Sequence, residues 1–533
     1  MPDVVVVGAG PTGLALACQL VRWGVKFRII DEQANRVEES RAFGVQARSM
    51  EIFDQLGLGE AFAARARRAD AARFHVHGRE VARLTFGGIG KDTRYPALYL
   101  LPQPDTEQLL IDDLTARGVT IERRVRLVDF RQDREGVTAE LVHVDRAEHE
   151  IVRCTYLVGC DGAHSRVRDV LGIPFEGATY EQEFVLADAQ LDPQPSGLDV
   201  YLGRGALVLA AGVGARTRVM GARFDAPPGD PSEPVSIGEL AALLRAAQVP
   251  FDVPGAEWMS RFRLHHRATR RYQVGHAFLA GDACHIHTPA GGQGMNTGIQ
   301  DATNLAWKLA LVLRGAPVDL LDTYEQERQR IGEVLVHTTD RAFGMLTARG
   351  AFARWLRDVI APHALPLVLA SPHVRARLER FISELDIRYH ANRFVREVAH
   401  GADRAFRTGL AAGRRVPDLE LEGVALHDLL RGPVLHVLAF GACDDHELRA
   451  IERRHAWRVR IHRITAASDA RPLFERFGVT SAATYVVRPD GYVGFRSFGP
   501  SPIEAGLYLD ALLGEPPWLE TIGPDTFVES RPA

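Results

Sequence analysis

A GxGxxG sequence near the start of the chain, Gly8-Ala9-Gly10-Pro11-Thr12-Gly13, could hold a phosphate group. In this pattern the first glycine allows a tight turn, the second lets the backbone approach a pyrophosphate, and the third lets a helix pack closely on a strand. Free N–H groups at the start of the following helix would receive the phosphate oxygens, and the helix dipole favours their negative charge. The spacing therefore predicts a dinucleotide site.

The residues around this turn form the elements that such a site requires. Val4 to Val7 is a continuous apolar run suited to a buried parallel strand, and Val25 to Ile30 gives a second strand. The residues between them have a helical pattern, so we expect one right-handed βαβ unit. Asp31 directly follows the second strand, where a carboxylate can accept hydrogen bonds from ribose hydroxyls, and Glu32 is the nearby alternative. This pattern alone does not separate NAD from FAD.

Two later segments combine glycine with aspartate in patterns that suggest further ligand contacts. Cys160-Asp161-Gly162 opens the first of them. The second begins at Gly281-Asp282 after the apolar run Ala277 to Ala280, so the Asp282 carboxylate should emerge at the carboxyl end of a strand. The stretch from Gly291 to Asn296 then offers backbone N–H groups at the start of a helix. Such a site suits an anionic or polarised ring edge.

At these motifs the sequence resembles a known family, the FAD-dependent aromatic hydroxylases (group A flavoprotein monooxygenases of the para-hydroxybenzoate hydroxylase and phenol hydroxylase type). Cys160 to Arg168 looks like their DG motif, and Gly281 to Asn296 looks like their GD motif with its flavin-facing loop. The helix that follows is also similar to theirs, with Asp301, Asn304, Leu305, Trp307, Lys308 and Leu309. The motifs occur in the family's order, and the resemblance covers about Met1 to Arg349.

The resemblance implies an FAD site built from all of these segments. Arg41 is expected near the pyrophosphate, where its fork of donors suits phosphate oxygens, and Gln103 near the ribityl chain, where an amide can donate and accept. The expected cofactor-binding residues are Gly8, Gly10, Pro11, Thr12, Gly13, Asp31, Glu32, Arg41, Gln103, Asp161, Asp282, Gly292, Gly294, Met295 and Asn296.

The activity implied by the resemblance is hydroxylation of an aromatic substrate, phenolic or polyketide-type, with NAD(P)H and O2 through a flavin hydroperoxide. Pro289 is implied to lie near the reacting face of the flavin. Tyr201 and Arg218, on a predicted antiparallel sheet, are candidates for promoting loss of the phenolic proton. No second glycine-rich fingerprint is visible, so NADPH or NADH is expected to bind transiently. Arg168 is a candidate for that docking, although it and Arg166 could equally be solvated.

Other functions fit the same scaffold. A flavin oxidase or reductase would share the cofactor motifs, and so would a non-catalytic flavin-binding protein. A halogenase is disfavoured because the WxWxIP sequence of that branch does not occur. Incorporation of labelled oxygen into product separates monooxygenation from the other activities.

The expected fold class is α/β, with a Rossmann-type FAD-binding domain, an antiparallel-sheet substrate domain and a C-terminal thioredoxin-like domain. The expected bounds are 1–174 and 276–345 for the discontinuous FAD-binding domain, 175–275 for the substrate-binding sheet, 346–410 for a helical connection and 411–520 for the thioredoxin-like domain. The last resembles the domain appended to phenol-hydroxylase-type members. It lacks a CxxC sequence and Cys443 stands alone, so a structural or homodimer-contact role is expected instead of dithiol chemistry.

The composition argues against several other classes. A net charge of -4 over 533 residues gives no reason to expect a nucleic-acid or anionic-membrane partner. Near the start of the chain, the apolar runs are too short to cross a bilayer, and no basic segment precedes a long apolar stretch. The five cysteines are scattered without metal-ligand spacing. We therefore expect a cytoplasmic protein with reduced thiols and no metal site.

A cysteine and two histidines follow closely after Asp282. Cys284 stands where the family more often has alanine, and it is expected to pack as a small apolar residue without covalent attachment to the flavin. His285 and His287 form a His-x-His pair, but no third metal ligand accompanies them. A structural or flavin-adjacent role is expected for both histidines.

Overall fold

The structure is a computed structural model that describes residues 1–36, 42–195, 197–203, 205–224, 233–286, 292–347, 355, 359–466 and 470–514. It divides into two compact units. The first unit contains Met1–Thr303 and Arg328–Ile387, and the second contains Asn304–Glu327 and Arg388–Ala533. Of the helices described, none combines the length and the apolar character that crossing a bilayer requires.

The strands of the first unit, in chain order, are β1 Val4–Val7, β2 Phe27–Asp31, β3 Gly44–Val45, β4 Arg67–Ala69, β5 Ala71–Val76, β6 Arg79–Thr85, β7 Leu98–Leu100, β8 Ile121–Arg123, β9 Val125–Gln132, β10 Val137–His143, β11 Glu148–Cys154, β12 Tyr156–Gly159, β13 Glu176–Asp192, β14 Leu198–Gly203, β15 Ala206–Val213, β16 Arg216–Arg223, β17 Asp252–Ala268, β18 Gln273–Val274, β19 Ala277–Leu279 and β20 His285–Ile286. The helices, of which α7 and α8 continue into the second unit, are α1 Pro11–Arg22, α2 Ala47–Gln55, α3 Gly59–Arg65, α4 Gln103–Ala116, α5 Arg166–Val170, α6 Ile237–Ala246, α7 Gly294–Val312, α8 Asp322–Thr347, α9 Ala361–Ala370 and α10 Pro372–Ile382.

A six-stranded sheet in the order β18-β19-β12-β1-β2-β8 carries the glycine-rich turn. Its strands pair in parallel from β19 to β8, and only the edge strand β18 is antiparallel. All four residues of β1 are fully or almost fully buried, as their continuous apolar run predicts. Helix α1 begins at Pro11, earlier than the apolar pattern alone suggests, because proline is well suited to a first helical position.

An eight-stranded sheet in the order β20-β17-β13-β16-β15-β14-β5-β6 forms the second layer of the first unit. Most of it lies in the segment 175–275, where an antiparallel sheet was expected. Strands β5 and β6, from much earlier in the chain, extend one edge, and β5 pairs in parallel with β14. Because this pairing is made by backbone groups, the residue types in β5 and β14 do not reveal it. One face of the sheet packs on α6 through Leu240, Leu243 and Leu244.

Two three-stranded sheets complete the first unit, one in the order β11-β10-β9 and one in the order β3-β7-β4. In β10, Val137, Ala139 and Leu141 are completely buried and alternate with partly exposed residues, which is the pattern of a half-buried strand.

The second unit contains β21 Arg396–Val398, β22 Glu420–Leu421, β23 Val424–Ala425, β24 Leu435–Gly441, β25 Val459–Ile464, β26 Ala482–Val487 and β27 Val493–Phe498, with helices α11 Arg404–Thr408, α12 Leu426–Leu429, α13 Asp445–His455, α14 Arg471–Phe477 and α15 Ile503–Leu513. Five of these strands form a mixed sheet in the order β21-β27-β26-β24-β25. The apolar runs at 434–440, 484–487 and 492–495 of the sequence correspond to β24, β26 and β27.

Candidate cofactor and active site

The three sequence motifs lie at the carboxyl ends of three neighbouring parallel strands. Gly8 follows β1, Cys160 follows β12, and Gly281 comes just after β19. These strand ends are tied by backbone hydrogen bonds, from Cys160 N to Val7 O at 2.7 Å and from Ala280 N to Gly159 O at 2.9 Å. Ligands of open parallel sheets bind outside this edge, so the motifs share one place for a ligand.

Thr12 connects the glycine-rich turn to the start of α7. A methyl group added at Gly281 would lie 2.4 Å from Thr12 Oγ1, and one added at Gly298 would lie 2.3 Å from the same oxygen. Both separations are too short for carbon and oxygen, so the two glycines make room for the threonine side chain. Gly281 also has a φ of +64°, which favours glycine. The first turn of α1 therefore packs directly on the second motif.

The glycine-rich turn leaves space where a phosphate must approach. A methyl group at Gly8 would lie 2.4 Å from Cys160 O, and one at Gly13 would lie 2.0 Å from Gly8 O, so these two glycines serve close packing. At Gly10 a methyl group would have no neighbour within 4 Å. Gly10 is the N-cap of α1 and Pro11 its first residue, so the first free helix amides follow at once. The geometry fits the pyrophosphate of a dinucleotide.

Asp31, the last residue of β2, holds the turn from the opposite side. Its Oδ2 accepts a hydrogen bond from Ala9 N at 2.6 Å, and its Oδ1 accepts one from Gln33 N at 2.8 Å. A carboxylate has about four acceptor positions, so capacity for a ribose hydroxyl is left. Glu32 is exposed. The geometry thus favours Asp31 over Glu32 for a contact at this turn.

Arg168, in the first motif region, is interior and joins two loops. Its side chain donates hydrogen bonds to Ala163 O at 2.9 Å and to Ala283 O at 3.2 Å, and its guanidinium lies 4.1 Å from the centre of the Phe175 ring. Only 5% of the residue is exposed, so it is not the solvated side chain that was one expectation. Arg166 is exposed and donates to Val128 O.

Asp161 sits at the start of α5, where its Oδ2 accepts a hydrogen bond from Val167 N at 3.1 Å. Burial raises the pKa of this carboxyl, and hydrogen bonds from Ser165 and Val167 oppose that rise only in part. The observed contact is that of a helix-capping residue. A contact of Asp161 with the cofactor stays a prediction.

Asn296 makes buried hydrogen bonds at the second motif, just after the start of α7. Its amide donates to Gly44 O at 2.9 Å and to Gly292 O at 2.7 Å, and its Oδ1 accepts from Gln46 N at 2.9 Å. The side chain is fully buried. Because its donors and acceptor already bond to backbone, Asn296 holds the loop in place. The neighbouring backbone at the start of α7, with Gly294 and Met295, offers the amide groups.

Asp301 lies in the helix that resembles the family's, but no role at the site was predicted for it. Its carboxylate accepts hydrogen bonds from Gly281 N at 3.0 Å and Arg328 Nε at 2.6 Å, and its Oδ2 lies 2.7 Å from His285 Nε2. Burial favours the protonated acid, but Arg328 and His285 outweigh it and leave the pKa of Asp301 below its usual value. The sequence feature that could have identified Asp301 as a functional residue is an aspartate on the apolar face of a helix.

His285 is therefore a buried partner of Asp301, which is a structural role, one of the two roles expected for it. Cys284 is fully buried beside it, and burial raises the pKa of its thiol well above the ordinary value, which makes it unreactive. Among the described residues, no three side chains of the metal-ligating types come together. His287 lies outside the described residues.

Gln103, at the first position of α4, donates from Nε2 to Glu107 Oε1 at 2.9 Å, and its backbone N–H donates to Ala42 O at 3.1 Å. It therefore lies next to Ala42. Asp282 is exposed at the edge shared by the three motifs. Arg41 and Pro289 themselves lie outside the described residues.

Tyr201 and Arg218 lie on opposite faces of the eight-stranded sheet, so they cannot serve one pocket together. Tyr201 belongs to the core between the sheet and α6, is 2% exposed, and stacks on His75 with ring centres 4.4 Å apart. Arg218 shares the other face with Met220 and pairs with Asp188 at 2.7 Å and 2.5 Å. Side chains alternate between the two faces of a sheet, but the sequence did not show which face each of these residues takes. In the structure they take opposite faces.

Comparison with known proteins agrees with this geometry. The family described as FAD binding domain matches residues 1–339, and the family described as aromatic-ring hydroxylase, C-terminal, matches residues 410–516. A 12-dehydrotetracycline 5-monooxygenase/anhydrotetracycline 6-monooxygenase of Streptomyces rimosus is 36% identical over 92% of this chain and 94% of its own length. A rifampicin monooxygenase of Streptomyces venezuelae is 36% identical over 80% of this chain and 85% of its own length.

Among solved structures, the anhydrotetracycline hydroxylase OxyS of Streptomyces rimosus superposes with a TM-score of 0.76 at 32% identity, covering 97% of this chain and 99% of that one. Sequence families, relatives and structure thus agree over nearly the whole length. The chain belongs to the FAD-dependent aromatic-ring hydroxylases and is a flavoprotein monooxygenase that uses FAD and NAD(P)H to hydroxylate an aromatic substrate.

Proposed function

We propose that this enzyme hydroxylates a phenolic ring of a polycyclic, polyketide-type substrate, with one FAD bound along the edge formed by the ends of β1, β12 and β19. The observation that carries the proposal is the packing of Thr12 against Gly281 and Gly298, which brings the glycine-rich turn and the second motif to one site. The substrate class is supported by relatives named for anhydrotetracycline, 6-methylpretetramide and rifampicin.

The residues of the chain would bind and orient the cofactor. The turn from Gly8 to Gly13 would hold the pyrophosphate at the amino end of α1, and Asp31 would accept from the adenosine ribose. Asp282 and Gln103 would contact the ribityl chain, and the amide groups at the start of α7 would face the polar edge of the ring. When bound, the flavin supplies the redox chemistry that activates oxygen.

The eight-stranded sheet would form one wall of the substrate site. We assign that role to the face that carries Arg218 and Asp188, because α6 covers the other face. Arg218 is 4% exposed, and its carboxylate partner gives it a fixed orientation. A fixed cation near the phenol would favour loss of the phenolic proton. Tyr201, on the covered face, has no such role in this proposal.

The finer organisation belongs to the same proposal. We assign the β1-α1-β2 region to a Rossmann-type domain over 1–174 and 276–345, the substrate sheet to 175–275, and a thioredoxin-like domain to 411–520. The mixed five-stranded sheet of the second unit supports the last assignment. Buried free thiols, including Cys18 and Cys154, support a cytoplasmic location. A homodimer stays a prediction.

The test is product analysis with the purified flavoprotein. Polycyclic phenols should accelerate NAD(P)H oxidation, and one atom from labelled O2 should enter the product. Accelerated oxidation with hydrogen peroxide as the only oxygen product would identify an oxidase instead. A protein that cannot be loaded with FAD would contradict the site itself. Simple monocyclic phenols serve as the comparison set, and preference for them would overturn the polycyclic assignment.

A further inference from the structure

The cofactor-facing end of α7 is held by the last turn of α10 and by the short loop that follows it. Gln293 Nε2, just before α7, donates to Phe381 O at 2.9 Å. Within the first two turns of α7, Thr297 Oγ1 donates to Glu384 Oε1 at 3.1 Å, and Gln300 Nε2 lies 2.6 Å from Glu384 Oε2. One carboxyl group therefore touches two successive turns of the helix whose start carries the flavin-facing loop.

The backbone of Glu384 adopts an energetically unfavourable conformation. Its φ is +59°, a left-handed conformation that residues other than glycine seldom adopt. Only 4% of the residue is exposed. Within the described part of the chain, the structure gives this carboxyl no ion pair. Among the residues that the structure describes, the hydrogen bonds of this buried carboxyl group go to two side chains of α7, so the group holds that helix and does more than occupy space in the core.

The hydrogen-bond geometry accommodates a neutral acid. Gln300 and Glu384 lie 2.6 Å apart, close enough for either side chain to donate. Gln300 Oε1 has no hydrogen-bond partner among the described residues. Exchanging the two ends of the Gln300 amide, which have nearly equal size, lets a protonated Glu384 donate to that oxygen. The protonated carboxyl group then has an acceptor, and Gln300 Oε1 has a donor.

The surroundings agree with this protonation state. Burial is the largest influence and raises the pKa of Glu384 to about 8, whereas hydrogen bonds from Thr297 and Gln300 and the charge of Arg328 lower it less. The charged groups facing it are Arg328 on α8 and Asp301 on α7. Neither titrates between pH 6.5 and 9.5, because a guanidinium stays charged and the pKa of Asp301 is below its usual value.

We propose that Glu384 is a positioning residue for the flavin-facing end of α7 and that it acts as a neutral carboxylic acid. The inference rests on the proposed FAD site. The amino end of α7 offers a positive potential to the ring edge, and a buried carboxylate beside its first two turns would cancel that potential. Loss of the proton would also remove the hydrogen bond to Gln300. FAD binding should therefore weaken when Glu384 ionises.

The experiment titrates the FAD-free full-length protein with FAD from pH 6.5 to 9.5, following the quenching of flavin fluorescence. With a pKa of about 8, roughly one eleventh of the protein holds the neutral acid at pH 9, so the dissociation constant should rise up to about tenfold between pH 7 and 9. Glu384→Gln, which stays neutral, should show no such rise. Glu379→Gln is the control, because Glu379 is equally buried but contacts Gly88 instead of α7.

The outcomes are distinct. If Glu384→Gln and the unmodified protein share one pH dependence, ionisation of Glu384 is irrelevant and the proposal is wrong. If Glu384→Ala binds FAD as tightly as the unmodified protein at pH 7, the positioning role is wrong as well. Should that variant fail to fold, the pH comparison with Glu384→Gln still decides. Failure of the unmodified protein to bind FAD at any pH would instead overturn the proposed function.

Discussion

Arg168 reaches from one cofactor motif to the other: its Nη1 donates to Ala283 O at 3.2 Å while its Nη2 donates to Ala163 O. Removing the guanidinium leaves two buried carbonyl groups without these donors, and each such loss costs about 1–3 kcal/mol. We therefore expect Arg168→Met to weaken FAD binding about tenfold or more, with an unchanged KM for NAD(P)H once FAD is saturating. A raised KM with unchanged FAD affinity would instead support docking of the nicotinamide.

The open space at Gly10 gives a direct test of the phosphate site. Gly10→Ala should leave the thermal unfolding of the FAD-free protein unchanged, because the added methyl group has no neighbour within 4 Å. The same methyl group would stand where the pyrophosphate approaches, so FAD affinity should fall about tenfold or more. Gly255→Ala also adds a methyl group with no neighbour within 4 Å and should change neither property. Equal FAD affinity in both variants would remove the pyrophosphate from this turn.

Asp301 should contribute both to the stability of the folded protein and to FAD binding. Asp301→Asn leaves the Arg328 cation buried without its carboxylate, and breaking a buried pair in this way costs about 3–5 kcal/mol. The variant should therefore unfold at lower urea concentration and bind FAD more weakly, since Gly281 loses its charged acceptor. Asp133→Asn removes the partner of Arg153 in a solvent-exposed pair and should change little. Similar unfolding curves for both variants would contradict the role given to Asp301.

The two faces of the eight-stranded sheet predict different effects on turnover. Tyr201→Phe should leave kcat/KM within about twofold, since the ring stays packed under α6 and the hydroxyl faces no substrate. Arg218→Met should lower kcat/KM for a phenol about tenfold or more, because the cation that favours the phenolate is gone. Steady-state NADPH consumption coupled to product formation measures both. The reverse ranking would place the substrate on the α6 side.

The second unit contains a buried charge cluster whose loss should show in denaturation. Arg488 donates to Glu327 at 2.6 Å and 2.9 Å and also pairs with Asp490, all three being at most 3% exposed. Arg488→Met would remove the cation shared by two buried carboxylates, of which Glu327 keeps its pair with Lys308, and should cost about 3–5 kcal/mol. Arg496→Met is a less severe comparison, since its partner Glu397 is half-exposed and can remain solvated.

The same cluster gives the second unit a dependence on pH. Burial opposes ionisation of Glu327, but Arg488 and Lys308 outweigh it and hold its pKa below the ordinary value. A carboxyl with a lowered pKa in the folded state stabilises that state above its unfolded pKa and loses the contribution as the pH falls. Unfolding free energy should therefore decline below about pH 4.5. Glu327→Gln should flatten that part of the decline, and an unaltered acid limb would show that Glu327 does not contribute.

The sequence by itself indicated a dinucleotide site and the order of the parts, and its resemblance to a family indicated FAD. Glycines at 8, 10 and 13, aspartates at 31 and 282, and the apolar runs before them follow from local requirements, namely tight turns, free helix amides and buried strands. Such requirements are written within a few consecutive residues. Strand β1, expected from Val4 to Val7, could be placed to the residue for the same reason.

Tertiary structure decided which side chains meet. Glu384 lies far in the sequence from the motif it supports, and nothing in its neighbouring residues indicates a partner. Arg168 and Asp301 lie in or beside the motifs, but local patterns do not show that they meet Ala283 and Arg328. The face of Tyr201 depends on strand pairing, because alternation separates two faces but does not say which one a helix covers. The addition of β5 to the sheet depends on backbone hydrogen bonds that any sequence can make. Contacts of this kind arise only when the chain closes on itself, and so they could not be obtained from local patterns.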